Sequence, residues 1–267
     1  MSMLPLVNMI NCKEANYLLF NTNDLISRTL YNSGQWQEYL LNISRFFIKG
    51  VDKPLIIDIG ANLGAYSIPL AKSIQADEGV VIGFEPQRIV YYQLCGNLIL
   101  NRLDNYIAHN SAVGDKNCMI EIPVISYEKH HNIGAFSLEQ EFRVAKGIEQ
   151  YTSYEKFTAA PMITLDSLQT PRSPSLIKID VEGYELNVLK GAVKFLEAHS
   201  YPPLLFEAWS APWFAEHRTE LFNFISGLGY TISLNIGEEY VAQHPKHPVN
   251  VEFQKHDDGR VNMVRIR

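Results

Sequence analysis

The stretch Leu55-Ile56-Ile57-Asp58-Ile59-Gly60-Ala61-Asn62-Leu63-Gly64 is an apolar run that ends in an acid and a glycine-spaced turn. Followed by a helical pattern from Ala65 to Ser73, it reads as the first strand and crossover helix of a parallel sheet. Glycines at such a turn let the backbone come close to a ligand, and the free N–H groups at the helix start can donate to it. A nucleotide-like ligand is the natural occupant. A dinucleotide fingerprint would read G-x-G-x-x-G, whereas Asn62 stands at the middle glycine, which speaks against a pyrophosphate.

Outward from this stretch, short β-rich runs alternate with helical patterns, which marks an α/β fold with a sheet covered on both faces. The seven predicted strands are Leu55 to Ile59, Val80 to Phe84, Tyr106 to Val113, Leu176 to Ile179, Leu204 to Glu207, Tyr230 to Leu234 and Val261 to Ile266. Helices are predicted near Ala65 to Ser73, Arg88 to Asn101, Gly183 to Ala198 and Phe214 to Leu228. Gly114-Asp115 reads as a hairpin turn into a further strand, Cys118 to Ile125. Residues 126–160 have weak periodicity and read as an inserted substrate loop. Upstream, Asp24 to Lys49 carries apolar residues at helical spacing, broken by Asn32-Ser33-Gly34. It reads as two helices of an N-terminal helical cap (1–50) on a domain of 51–267, with its aromatic residues, Trp36 included, in the core.

At 267 residues, 46% hydrophobic and 19% charged, the chain can bury a sizeable core and is not mainly disordered. Its 23 basic and 29 acidic residues give a net charge of −6, which supplies no bulk attraction for nucleic acid or an anionic membrane. Cys12, Cys95 and Cys118 are scattered and lack C-x-x-C spacing, so neither a disulfide framework nor a zinc site is expected. No run approaches the roughly 18 apolar residues of a membrane span, and no secretory leader is read, so a cytoplasmic location is expected. The sequon Asn42-Ile43-Ser44 carries no weight there.

The chemistry gathers at strand ends. Glu85 closes Val80-Val81-Ile82-Gly83-Phe84, and adjacent strands of a right-handed βαβ unit present their carboxyl ends to one crevice. Asp58, the Gly60 turn and Glu85 should therefore converge, and a carboxylate there can accept both hydroxyls of a ribose. Ile177-Lys178-Ile179-Asp180-Val181-Glu182-Gly183-Tyr184-Glu185 places more acids at a strand end. Three acid-tipped strands around one glycine turn suggest a cationic, ribose-bearing ligand.

Asp58-Ile59-Gly60-Ala61-Asn62-Leu63-Gly64, Phe84-Glu85-Pro86, Asn110 to Asp115, Thr164-Leu165-Asp166-Ser167-Leu168 and Lys178 to Glu185 together resemble the ordered motifs of the FkbM family of S-adenosylmethionine-dependent methyltransferases. The resemblance runs from about Leu55 to Gly237. It implies the class I methyltransferase fold, a Rossmann-like seven-stranded sheet with its last strand antiparallel, and methylation of a hydroxyl on a sugar, glycan or natural product. It implies that Asp58, Gly60, Asn62 and Gly64 serve the methionine moiety, Glu85 the ribose and Asn110, Ser111 and Ala112 the adenine. Asp180 would sit nearest the sulfonium and the acceptor.

For a base to take the hydroxyl proton, His131, beside His130 in the inserted segment, is favoured because imidazole titrates near neutrality. Asp180 and Glu182 are the alternative, acting directly or with Glu207 as ligands of a divalent cation; no residue is assigned to a metal. Asp166 reads as a helix-start acid. His244, His247 and His256 lack ligand spacings, and Trp209 and Trp213 could wall the acceptor or anchor the next helix. Two other functions compete: a nicotinamide-dependent oxidoreductase on the same sheet, and a noncatalytic cofactor-binding module. The expected partner is a small-molecule or glycan acceptor.

Overall fold

The computed structural model of the chain describes residues 5–22, 24–125, 133–256 and 260–266. A hairpin of β1 (Val7–Asn11) and β2 (Asn16–Phe20) precedes two helices, α1 (Leu25–Ser33) and α2 (Glu38–Ile48). Asp24 starts α1 by accepting the Ser27 N–H at 3.0 Å, and Gly34, left-handed at φ 71, ends it by returning its N–H to Leu30. Both are ordinary helix signals. The predicted break at Asn32-Ser33-Gly34 thus falls where α1 stops, but the N-terminal segment also contains a β-hairpin that local sequence pattern does not reveal.

The sheet begins with β3 (Leu55–Ile59), α3 (Ser67–Ile74), β4 (Val80–Phe84), α4 (Arg88–Leu100) and β5 (Tyr106–His109). An excursion follows through β6 (Ala112–Val113), β7 (Cys118–Ile125), α5 (Gln140–Ala145) and β8 (Thr152–Ile163). The chain returns with β9 (Leu176–Ile179), α6 (Glu185–Lys190), α7 (Val193–Ala198), β10 (Leu204–Glu207), α8 (Ala215–Gly227), β11 (Thr231–Ile236) and β12 (Glu239–Gln243). A last hairpin, β13 (Val251–Lys255) and β14 (Val261–Arg265), packs Phe253 on Phe47 of α2.

The seven-stranded sheet has the order β11-β12-β10-β9-β3-β4-β5, and only β12 runs against the rest. This is the class I methyltransferase arrangement that the motifs implied. Its central strands read as continuous apolar runs because both faces are covered. Ile56 of β3 joins the core under α1 to α4, whereas Leu55, Ile57 and Ile59 join the core under α6 to α8. Each of these four side chains is at most 1% exposed, and burial of such a chain contributes roughly 1.5–3 kcal/mol. By the same alternation Asp58 shares the α1–α4 side with Ile56, directly opposite Lys178 on β9.

Five expectations need correction. Val261 to Ile266 is not a strand of the main sheet: β12, at Glu239–Gln243, fills the antiparallel place and β14 pairs only with β13. The Tyr106 to Val113 run splits, with β5 in the main sheet and β6 in a three-stranded sheet. β6 and β7 form no hairpin, since β8 lies between them, parallel to β6 and antiparallel to β7. That strand comes from the segment read as a loop. The helix predicted over Gly183 to Ala198 is two helices, and Asp166 caps the second from a distance by accepting the Phe195 N–H at 2.8 Å. No helix among the described residues is long and apolar enough to cross a membrane.

Asp24 does more than cap α1, for its other carboxylate oxygen accepts the Ile133 N–H at 2.9 Å and ties the excursion to the N-terminal segment. Asp24→Ala should lower unfolding stability by about 2–4 kcal/mol, the sum of a lost cap and an unpaired buried N–H. Urea unfolding checks this; a loss below about 1 kcal/mol would mean the tie contributes little.

Candidate functional site

A cavity of about 300 Å³ lies at the carboxyl ends of β3, β4, β9 and β10. Its floor is set by one close approach. Gly60 has φ 87, and a Cβ there would lie 1.8 Å from the Asp180 carbonyl oxygen, so the turn after β3 can meet the turn after β9 only as glycine. The Gly60 and Ala61 N–H groups donate to the Phe84 carbonyl at 3.0 and 2.9 Å. The Asn62 N–H, at a residue held left-handed with φ 50, donates to Glu85 Oε2 at 3.0 Å, and the Gln87 N–H donates to Glu85 Oε1 at 2.8 Å. Glu85 is thereby fixed at the cavity edge. Burial pushes its carboxyl up to about 7, against the pull of those two backbone donors.

Asp58 is 1% exposed, lines the cavity, and neither of its carboxylate oxygens has a hydrogen-bond partner. Burial raises its carboxyl, partly opposed by Lys178 and by the nearby Ser67 hydroxyl. Lys178 donates to Asp180 Oδ2 at 2.7 Å and lies 5.1 Å from the Tyr66 ring centroid. Burial alone would lower its ammonium, but Asp180, Asp58 and Glu239 outweigh it and hold the pKa above the usual lysine value.

Asp180, Glu182 and Glu207 form the one group of three or more acids, histidines or cysteines among the described residues with ligand atoms close enough for a single ion, all within 4.8 Å. Each already has a partner. Lys178 holds Asp180, Lys146 reaches Glu182 Oε2 at 2.5 Å, and the Trp209 indole donates to Glu207 Oε2 at 2.8 Å. Burial, offset by Lys146, pushes Glu182 up to about 7, and burial together with Glu182 and Asp180 raises Glu207 well above the usual carboxylate value. Glu185 keeps this turn in shape: its Oε1 accepts the N–H groups of Val181 and Gly183 at 3.1 and 3.2 Å.

The roof comes from outside the strand ends. Leu25, Ile26, Trp36 and Gln37 reach in from the N-terminal segment, and Gly134, Phe136 and Leu138 from the excursion. The Gln87 amide donates to the Ile133 carbonyl at 3.3 Å, so the roof is fastened to the β4 end as well as to Asp24.

Of the residues read from sequence, Asp58, Gly60, Asn62, Glu85, Ser111, Ala112, Asp180 and Glu182 line this one cavity. Gly64 does not; it packs behind the turn, where a side chain would press on Ile68 and Leu94. Asn110 does not either, and its amide instead donates to the Glu85 and Pro86 carbonyls at 2.9 and 3.1 Å. His130 and His131 lie outside the described residues. Trp209 packs on Phe142, Trp213 and Phe214 rather than facing the cavity, whereas Trp36, read as core, both packs against the core under α1 to α4 and lines the cavity. His244 stacks on Tyr201 at 4.0 Å and its Nδ1 accepts the Lys246 N–H, a packing arrangement remote from the acids. Lys178 and Gln37 are site residues that sequence reasoning missed. A lysine inside the β9 run was the available signal for the first; the second has none in local sequence.

A family model described as the methyltransferase FkbM domain matches residues 58–232. The chain is similar to methyltransferase 1 of Beauveria bassiana (strain ARSEF 2860), 22% identical over 148 residues, which are 52% of this chain and 59% of that protein. Among solved structures it is similar to methyltransferase FkbM from Methylobacillus flagellatus KT, at 21% identity and TM-score 0.47, covering 74% of this chain and 46% of that one. It is also similar to the SAM-dependent O-methyltransferase from Thermotoga maritima, at 10% identity and TM-score 0.46, covering 93% and 68%. The chain thus spans less than two thirds of the curated relative and of the FkbM structure.

The buried acids make stability depend on pH in a defined direction. Glu85, Glu182 and Glu239 at about 7 and Glu185 at about 8 all lie above the usual 4.5, so the folded chain holds protons that the unfolded chain gives up. Their contribution is present below that value and is lost as pH rises through about 7 to 8. Thermal unfolding of the ligand-free chain should show a Tm that falls from about pH 5 to about pH 8.5, and Glu85→Gln should remove up to roughly 3 kcal/mol of that loss. A Tm that is flat or rises over this window would contradict the assignment.

Proposed function

Since the chain belongs to the FkbM methyltransferase family, we propose that it transfers a methyl group from S-adenosylmethionine to a hydroxyl of a sugar, glycan or natural-product small molecule. The observation that carries this reading is Asp58, a buried carboxylate in the cavity wall with two unpartnered oxygens beside a turn that only glycine can make. A carboxyl buried there without a hydrogen bond is costly, Lys178 offsets only part of that cost, and a cofactor that brings a further ammonium would offset more. The residues present fit the group. Asp58, Gly60 and Asn62 would hold its amino-acid end, Glu85 its ribose, Ser111 and Ala112 its base, with Asp180 between cofactor and acceptor.

When bound, the cofactor supplies an electrophilic methyl group on a sulfonium. The chain's own contribution is to position the nucleophile and to accept a proton. Glu182 suits proton acceptance, because it lines the cavity and because burial and Asp180 leave its carboxyl near neutrality, where a general base works best. Asp180 suits positioning, since Lys178 fixes its orientation. A small acceptor, rather than nucleic acid, is consistent with the net charge of −6 and with the acids around the cavity.

Calorimetry should show micromolar binding of S-adenosylmethionine or S-adenosylhomocysteine to the intact chain. Glu85→Ala should weaken it at least about tenfold, the equivalent of one charge-assisted hydrogen bond. Absence of binding by the wild-type chain refutes the reading.

A further inference from the structure

The N-terminal hairpin reaches the turn after β3 through one side chain. Gln93 and Asn97 of α4 and Asn101 at its C-cap recur at i, i+4 and i+8, which puts them on one helix face. In sequence such a face reads as solvated, yet Gln93 is 6% exposed and Asn97 is fully buried. The face is covered by β2, which among the described residues pairs with no strand but β1. The outer edge of β2 bonds to the α4 amides instead. The Asn16 N–H donates to Asn101 Oδ1 at 2.9 Å, the Asn101 amide donates back to the Asn16 carbonyl at 2.7 Å, and the Gln93 amide donates to the Leu18 carbonyl at 2.8 Å. Gly96 makes room for the contact, for a Cβ there would come within 2.9 Å of Leu18 Cδ1.

Asn97 carries the contact one step further. Its Oδ1 accepts the Leu18 N–H at 2.6 Å, and its Nδ2 donates to the Leu63 carbonyl at 2.9 Å. The orientation of the amide is forced, since a backbone N–H can only donate and a carbonyl can only accept. Leu63 is 2% exposed and follows Asn62 in a tight turn, closed by the Gly64 N–H on the Ala61 carbonyl at 2.9 Å. Asn62 lines the cavity in a left-handed conformation, and its own N–H donates to Glu85. The turn is therefore gripped from two directions, by Glu85 at the Asn62 N–H and by Asn97 at the Leu63 carbonyl. Without Asn97 the buried Leu63 carbonyl loses this donor, and the peptide between Leu63 and Gly64 is free to rotate away from the shape that presents Asn62.

We propose that Asn97 is a positioning residue for the cofactor: anchored to β2 through Oδ1, it holds the Leu63 carbonyl and thereby keeps the Asn62 turn in the shape that receives S-adenosylmethionine. This role rests on the S-adenosylmethionine reading, and the test keeps the two apart. Asn97→Leu, close in size, removes both arms of the amide. Asn101→Leu removes the neighbouring tie between α4 and β2 without touching the turn. Calorimetry with S-adenosylhomocysteine, well below the Tm of each variant, is expected to show Asn97→Leu binding at least about fivefold more weakly than wild type, the equivalent of one buried hydrogen bond. Asn101→Leu should stay within about twofold of wild type. A merely structural part for Asn97 would lower Tm in both variants and leave their affinities alike.

Linkage supplies a readout that needs no variant. If the Leu18 N–H, Asn97 and the Leu63 carbonyl act as one chain, cofactor and hairpin stabilise each other by the same factor, so binding at the turn must tighten the Leu18 N–H beyond Asn97. Saturating the wild-type chain with S-adenosylhomocysteine should slow hydrogen exchange of the Leu18 amide, followed by NMR, at least about threefold, with the amides of the β13–β14 hairpin unaffected. The role of Asn97 is overturned if Asn97→Leu keeps its affinity, if both variants weaken alike, or if S-adenosylhomocysteine leaves Leu18 exchange unchanged or slows both hairpins equally. Should Asn97→Leu not fold, the exchange result decides. Where wild type binds S-adenosylhomocysteine and these results fail, only the role of Asn97 falls; a wild-type chain that binds none removes the cofactor reading and this role with it.

Discussion

Lys178 is the cation around which the site is assembled. A lysine 3% exposed at the end of a central strand is costly to bury alone, and it survives because Asp180 bonds it directly while Asp58 acts on it from the neighbouring β3 and Glu239 from β12, two strands away. The dependence is mutual, for without that charge the carboxylates at the ends of β3, β9 and β12 would face one another in a poorly solvated cleft. The parallel register that sets Asp58 against Lys178 is thus an electrostatic requirement as much as a backbone one. Lys178, even with Lys146 on Glu182, does not neutralise the cleft. Asp58 keeps two unpartnered oxygens, and Glu85, Glu182, Glu185 and Glu239 are all pushed up by burial. An arrangement this short of positive charge is suited to a ligand that brings its own.

The second constraint is steric. Because Gly60 lets the β3 turn touch the Asp180 carbonyl, the two loops that bear Asp58 and Asp180 cannot move independently, and the floor is rigid. The roof is attached differently, through hydrogen bonds from Ile133 to Asp24 and from Gln87 to Ile133, and through the packing of Phe142 on Trp209 and Phe214. Lys146 adds a point of attachment near the acids, with its ammonium 2.5 Å from Glu182 Oε2 and 4.0 Å from the Trp209 ring centroid. A rigid floor under a roof held by a few polar contacts confines most of the adaptability to the N-terminal segment and the excursion.

The sheet was legible because its information is local. Leu55–Ile59, Val80–Phe84, Leu176–Ile179 and Leu204–Glu207 are short apolar runs ended by an acid or a turn, and the predicted and observed bounds coincide. Errors fell where long-range pairing decides. β8 carries Ala159, Ala160 and Pro161 and has no clean alternation, yet becomes a strand because β6 and β7 both pair with it. Val261 to Arg265 has good β character, but β12, only a two-residue turn after β11, reaches the antiparallel slot first. The site divides along the same line. Asp58, Glu85 and Asp180 announce themselves at strand ends, whereas Trp36 and Gln37 sit between two amphipathic helices and have no local mark.

That division has a consequence for which parts of the cavity wall can vary. Side chains that follow directly from a strand end, such as Glu85 and Asp180, are fixed by the sheet and can change little without loss of the cleft. Trp36 and Gln37 occupy a short connection between α1 and α2, whose own stability comes from Asp24, Gly34 and the apolar faces packed on the sheet. The connection can therefore vary in sequence while its helices stay anchored, with the left-handed residue at the start of α2 as the one geometric demand. Placed over β12 and β10, it meets the cleft at the end farthest from Glu85. On the proposed methyltransferase reading, the floor would serve the cofactor, and this separately supported wall would be free to vary without altering the charge arrangement around Lys178.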